Sequence, residues 1–191
     1  MTAATRPSPA RDRLLSTASA LFYANGLRGV GVDRVIAEAE VTRATFYRHF
    51  PSKEALVVAY LERVDRGTRE AAGELPVDPD GAARWLTHLT AVLADQLCAP
   101  GFRGCAFINA AAEYPEPDSP VRTAILVHRR WLEASVHQAL TSARHPDPAA
   151  AGHRWTALRD GAMVAAYLGD PAEAQRTLID GARDLLATRA A

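Results

Sequence analysis

Thr42-Arg43-Ala44-Thr45-Phe46-Tyr47-Arg48-His49-Phe50-Pro51-Ser52-Lys53-Glu54-Ala55-Leu56 is the stretch on which the reading of this 191-residue chain turns. Thr42 can cap a short helix. Phe50-Pro51 ends it, because the residue before a proline is pushed out of helical geometry. Within that helix Phe46 and Phe50 fall at i and i+4 and join Val41 on one inward face. Arg43, Ala44, Thr45, Tyr47, Arg48 and His49 are left on the other side, small and hydrogen-bonding near the N-terminus. A helix that enters the major groove, about 12 Å wide, needs such an arrangement to bring donors to base edges. A merely solvated helix would share the polar side, but an exposed Tyr beside a Phe is costly without a partner.

Two further segments lie upstream. From about Ala10 to Ala24, Leu14, Ala18, Leu21 and Phe22 recur at i, i+4, i+7 and i+8, with Asn25-Gly26 as a left-handed stop. From about Val32 to Ala39, Val32, Val35, Ile36 and Ala39 repeat the spacing, and Glu40-Val41 makes a tight turn. Three short helices with a brief turn between the second and third form a helix-turn-helix candidate. Downstream, Ser52 caps a long fourth helix reaching to about Gly73. Lys53, the only lysine in the chain, sits in its first turn. A cation there opposes the helix dipole by roughly 0.3–1 kcal/mol, a conflict that a docked phosphate removes.

The remainder is also helical, and no alternating strand pattern occurs. Glu74 to Gly81 reads as a loop, followed by helices at about Ala82–Leu97, Cys105–Glu113, Val121–Ser142, Ala149–Leu168 and Pro171–Ala187. The Cys105–Glu113 segment is almost wholly apolar and is expected in the interior. Asp170-Pro171 gives the last helix a strong start. The expected architecture is all-α, about nine helices. Residues 1–9 read as a disordered arm, 10–55 as a helix-turn-helix DNA-binding head, and 56–191 as a larger helical body.

Within the body, polar side chains on apolar faces are the candidates for a ligand pocket: Asn109, Glu113, His128 and Tyr167. Trp85, Leu89, Phe107, Trp131 and Met163 would be its walls. The last two helices carry stripes at Trp155, Leu158 and Ala162, and at Leu178, Ala182 and Leu185. With the small residues Gly161 and Gly181 nearby, these are the candidate homodimer interface.

Composition constrains function further. The formal net charge is zero, but residues 1–53 carry +4 and the remaining 138 carry −4, a basic head on an acidic body. That division suits phosphate binding at one end. No stretch approaches the ~20 apolar residues that span a bilayer, and Met1 to Ala10 lacks a secretory leader's apolar centre; a cytoplasmic protein with no membrane partner is expected. Cys98 and Cys105 match no metal spacing. They are either small buried apolar residues or a redox pair across the Pro100-Gly101 turn. There is no glycine-rich phosphate loop, nucleophile elbow or paired metal ligands, so no catalytic residue, metal or cofactor is expected.

Residues from about Arg11 to Leu61 resemble the DNA-binding head of the TetR (TetR/AcrR) family of transcriptional regulators. Phe22 and Gly26, Val35-Ile36-Ala37 and Val41-Thr42 carry part of the likeness. Thr45 to Leu56 carries most of it, following a hydrophobic-Tyr-x-His-Phe-x-x-Lys-x-x-Leu pattern. The chain departs at Val30-Gly31, where the family usually has Thr-Ser. It departs again at Glu40, where the family usually has Gly; a turn that avoids left-handed backbone is therefore expected. The resemblance implies base contacts from Arg43, Ala44 and Thr45, phosphate contacts from Tyr47 and Lys53, and either from Arg48 and Arg28. It also implies a homodimer on a palindromic double-stranded operator, released by a small-molecule effector.

Overall fold

The computed structural model describes residues 8–188. Among these there are nine helices and no strand: α1 (Pro9–Asn25), α2 (Val32–Glu38), α3 (Arg43–His49), α4 (Lys53–Ala72), α5 (Pro79–Leu97), α6 (Ala106–Glu113), α7 (Pro120–Ser142), α8 (Pro148–Leu168) and α9 (Pro171–Ala187). The all-α expectation holds. The expected N-terminal arm lies largely outside the described residues. Among the described residues no helix is long and apolar enough to cross a membrane.

The chain forms two compact units. One takes in the chain as far as Val64 together with Asn109–Ile125; the other comprises Asp65–Ile108 and Leu126 onward. In the first, α1, α2 and α3 pack on one another. Their shared core contains Leu14, Ala18, Phe22, Val35 and Phe46, with Leu56 and Tyr60 from α4. Phe22 and Tyr60 meet edge to face at 5.9 Å between centroids, a favoured aromatic geometry. Val32 and Ile36, expected inside, are half-buried, because a seven-residue helix has too few turns to hide more than Val35 and its neighbour Ala39.

The backbone between α2 and α3 departs from expectation. Glu40 is left-handed, with φ at +52°, a conformation that costs a non-glycine residue about 1–2 kcal/mol. The tight α2–α3 connection demands it even without glycine. Gly26 at the end of α1 is also at positive φ, +83°, as anticipated.

In the second unit α9 lies against both α5 and α8. Trp155 is wholly buried, and its indole donates to Thr90 Oγ1 at 3.0 Å. Pro79 and Gly81, expected in a loop, belong to the first turn of α5. Asp78 is the N-cap and accepts from Gly81 N at 2.7 Å. Proline is well suited to a first helical position, and a Cβ at residue 81 would strike Asp78 and Pro76. Cys105 precedes α6 rather than opening it. That helix is not buried all round: Phe107 and Ala110 are inside, whereas Asn109 and Ala112 are exposed.

Candidate nucleic-acid interface and sensing site

α3 begins as its sequence dictates. Thr42 Oγ1 accepts from Thr45 N at 3.1 Å and donates to Thr45 Oγ1 at 3.0 Å. That cap fixes which side of the helix faces inward. Phe46 is 0% exposed, while Tyr47, the next residue, is 46% exposed and meets Phe46 edge on. Arg43, Ala44 and Arg48 are also exposed, and Thr45 is half-buried. Arg43 pairs with Asp33 of α2. Both partners are largely in solvent, so the pair contributes little and Arg43 can readily exchange it. His49 is turned toward α1, its Nε2 3.3 Å from Ser8 Oγ, and so does not share the open face.

Lys53 and Arg28 come together, although 25 residues apart: Lys53 Nζ donates to the Arg28 carbonyl at 3.2 Å. Burial holds the Lys53 ammonium below its ordinary value of 10.5, with the Glu113 charge opposing that shift and Arg28 adding to it. Ser52 Oγ accepts from Ala55 N at 3.1 Å, the expected cap of α4. The Arg28 guanidinium lies over Tyr114 and pairs with Glu116.

Two pocket candidates belong to this first unit. Glu113 accepts from Leu27 N at 2.9 Å and Arg28 N at 2.6 Å, clasping the α1–α2 turn. It is therefore a clip on the three-helix head rather than a pocket group; a carboxylate takes two backbone N–H donors in preference to an apolar chamber. Asn109 is exposed, so the burial that argued for it is absent. Neither position could be read from local spacing, since the Glu113 partners lie more than eighty residues away in sequence.

In the second unit, Phe107, His128 and Trp131 do come together. The Phe107 and His128 rings stack at 3.7 Å with planes 2° apart, and Trp131 lies beside His128 at 5.7 Å. His128 Nδ1 donates to Asp65 at 2.7 Å. Burial holds the imidazole below 6.5, and Arg159 and Arg69 add to that, while Asp65 opposes them. Leu89 and Met163 are buried. Trp85 donates to the Gly73 carbonyl at 3.2 Å, closing the end of α4. Tyr167 is 48% exposed beside Arg103, so it walls nothing.

The interface candidates require the same kind of correction. Trp155, Ala162, Leu178 and Ala182 are 0–5% exposed within a single chain. The apolar stripe that periodicity selects is the side that folds inward. Leu158 and Leu185 are half-buried, and Leu158 fills the space that Gly181 leaves. What α8 shows to solvent is a different face: Ala157, Gly161, Val164, Ala165 and Leu168, the last 76% exposed. A groove between α8 and α9 is lined by Ala157, Gly161, Ala165 and Thr177.

The sequence reading also missed Arg159. It is 5% exposed, donates from Nη1 to Asp160 and from Nη2 to Cys105 Sγ at 3.3 Å. Burial opposes its charge, but Cys105 and Asp160 outweigh that and hold the guanidinium above its ordinary value. Its place on the Trp155-Arg159-Ala162-Met163 stripe was the one signal that could have found it. Cys105 is buried; Cys98 is exposed and donates to Gln175 Oε1 at 3.6 Å.

Comparison with known proteins agrees with this geometry. Residues 14–60 match the model of bacterial regulatory proteins of the tetR family. The transcriptional repressor NemR of Escherichia coli K12 is 32% identical over 137 residues, covering 70% of this chain and 68% of that one. The crystal structure of SCO4454, a TetR-family regulator from Streptomyces coelicolor, is 45% identical with a TM-score of 0.86, covering 93% and 94% of the two chains. That of E. coli NemR in its reduced form is 25% identical with a TM-score of 0.79, covering 95% of this chain and all of the other. With a three-helix head whose third helix faces outward, followed in the chain by an α-helical body, the protein belongs to the TetR family of DNA-binding transcriptional regulators.

Proposed function

We propose that the protein is a repressor that binds a palindromic operator as a homodimer and releases it when a small-molecule effector enters the body. The head, residues 10–55, reads the duplex, and residues 56–191 dimerise and sense. Arg43, Ala44 and Thr45 meet base edges, while Tyr47 and Lys53 meet phosphates. Arg48 lies on the same open face. Arg28 joins them by exchanging Glu116 for a phosphate, an inexpensive exchange for an exposed pair. The observation that carries this reading is the contrast between Phe46, wholly buried, and Tyr47, nearly half exposed, at adjacent positions.

Two-fold pairing through the small, exposed α8 face would set two heads on half-sites about one helical turn apart. Effector entry shifts α4, which carries Lys53 at its start and Asp65 further along. The Glu113 clip gives α6 a second hold on the head. A coupling of about 1–3 kcal/mol is enough for a 5–150-fold loss of affinity.

Selection of bound duplexes from a random pool tests the reading directly, and an inverted repeat is expected. Light scattering should give a mass of two chains. Tyr47→Ala and Lys53→Ala should weaken binding to every duplex, and Lys53→Ala should lower the salt slope by about 0.9, the share of a single neutralised phosphate. Unchanged affinity in Tyr47→Ala would show that α3 does not enter the groove.

A second reading has one specific observation in its favour. The buried Cys105 sulfur is bonded by a guanidinium at 3.3 Å rather than packed among apolar groups alone, so the regulator would respond to oxidant through Cys105 and Cys98. Thiol titration of the native protein decides it: two unreactive thiols remove this reading.

A further inference from the structure

The body buries a full positive charge without a full set of acceptors. Arg159 Nη1 donates to Asp160 Oδ1 at 2.9 Å, and Nη2 to Cys105 Sγ at 3.3 Å. Its buried Nε has no hydrogen-bond partner. Nε and Nη2 form the edge of a guanidinium whose two parallel N–H groups fit the two oxygens of a carboxylate. Here one of those groups is held by a thiol sulfur, a weak acceptor, and the other by nothing. The carboxylate at the far side, Asp160, is shared with Arg129.

A second orphan lies close by. Thr156, three residues earlier on α8, is 4% exposed and its Oγ1 also lacks a partner. Residues three apart occupy one face of a helix. Buried polar groups in folded proteins are overwhelmingly bonded. Two unbonded ones, adjacent on one helix face and both able to donate, imply a missing acceptor. Flat aromatic surface is near along the chain, because Arg159 bonds Cys105, and Phe107 two residues further on stacks on His128. The other charges facing this group, Asp65, Arg69 and Arg129, are already paired with one another or with His128, Glu133 and Asp160.

We propose that Arg159 and Thr156 form the seat of an effector carboxylate, the effector being a small monocarboxylic acid with an apolar or aromatic remainder. Its two oxygens take Nε and Nη2 of Arg159, displacing the Cys105 sulfur, and the Thr156 hydroxyl donates a third bond. This rests on the reading of the body as an effector sensor, and gives that effector a chemical class.

The test uses the full-length protein with a duplex recovered by selection. Benzoate, phenylacetate and hexanoate are compared with their primary amides, by calorimetry and by release of the duplex. At least one acid should bind and release DNA with an affinity tenfold or more above its amide. Thr156→Val, which keeps shape and removes the donor, should weaken that acid several-fold. Arg159→Lys, which keeps charge and loses the fork, should weaken it tenfold or more. Cys105→Ala should tighten it, since the competing acceptor is gone. Acids and amides that bind alike, or no binding by any acid, overturn the seat; so does Thr156→Val binding as tightly as the parent. Loss of effector response in Cys105→Ala alone would assign the sulfur as sensor and equally overturn it. The parent protein's binding to the duplex without any acid is a separate reading: its failure would sink the DNA-binding assignment, not the seat.

Discussion

α3 and α8 use arginine in opposite ways. On α3, Arg43 and Arg48 stand in solvent beside an exposed tyrosine, held by nothing stronger than a surface ion pair with Asp33. On α8, Arg159 is almost completely buried, and its surroundings are a thiol, a shared carboxylate and, at Nε, no acceptor at all. The exposed arginines cost the fold little and are available to a partner. The buried one must be justified by what surrounds it, because desolvating an ion is expensive unless it is paired. Burial alone thus separates arginines open to a partner from one enclosed within the fold.

That contrast can be strained from both sides. The largest effect should come from Trp155→Ala, which removes a wholly buried indole and its bond to Thr90. A loss of about 3–5 kcal/mol is expected, read by denaturant unfolding. If instead Trp155 were an interface residue, the loss would fall with rising protein concentration. Next is Arg43→Ala, which should leave unfolding unchanged and relax preference at one base in each half-site by about 1–3 kcal/mol. Repeating the duplex selection with this variant checks it; an unaltered consensus would move base reading to another residue.

Smaller again is a pH effect in the body. His128 is held below 6.5, chiefly by burial. The unfolded chain therefore binds the proton more readily than the folded one. Stability should fall as pH drops through about 6.5, until the folded imidazole itself titrates, and His128→Gln should flatten that part of the melting profile. The smallest effect expected is from Glu40→Gly. Relief of the left-handed backbone at φ +52° should raise stability by about 1 kcal/mol or less, without altering duplex preference.

How far the sequence could be read followed from the distance over which each feature is decided. The Thr42 cap, the Phe46–Tyr47 division and the Asp170 start of α9 depend on residues within one turn, and they stand where the spacing put them. Pro79 and Gly81 mislead because breaker residues look alike in a loop and in the first turn of a capped helix. Trp155 and Leu178 mislead in another way, because periodicity shows that a helix has an apolar side, not what covers it. Glu113 and Arg159 depend on partners 86 and 54 positions away, and no local pattern contains that information.

The Glu113 clip also restricts how this sequence can drift. Any side chain at Gly26 would bring a Cβ to 3.3 Å from Glu113 Oε1, on a backbone already at positive φ. Substitution at 26 is therefore strained by torsion, and crowded besides by a carboxylate from a distant part of the chain that would have to give by a few tenths of an ångström. A shorter residue at 113 would remove the crowding but not the torsion, and would release the two backbone N–H groups of Leu27 and Arg28 that the clip now holds.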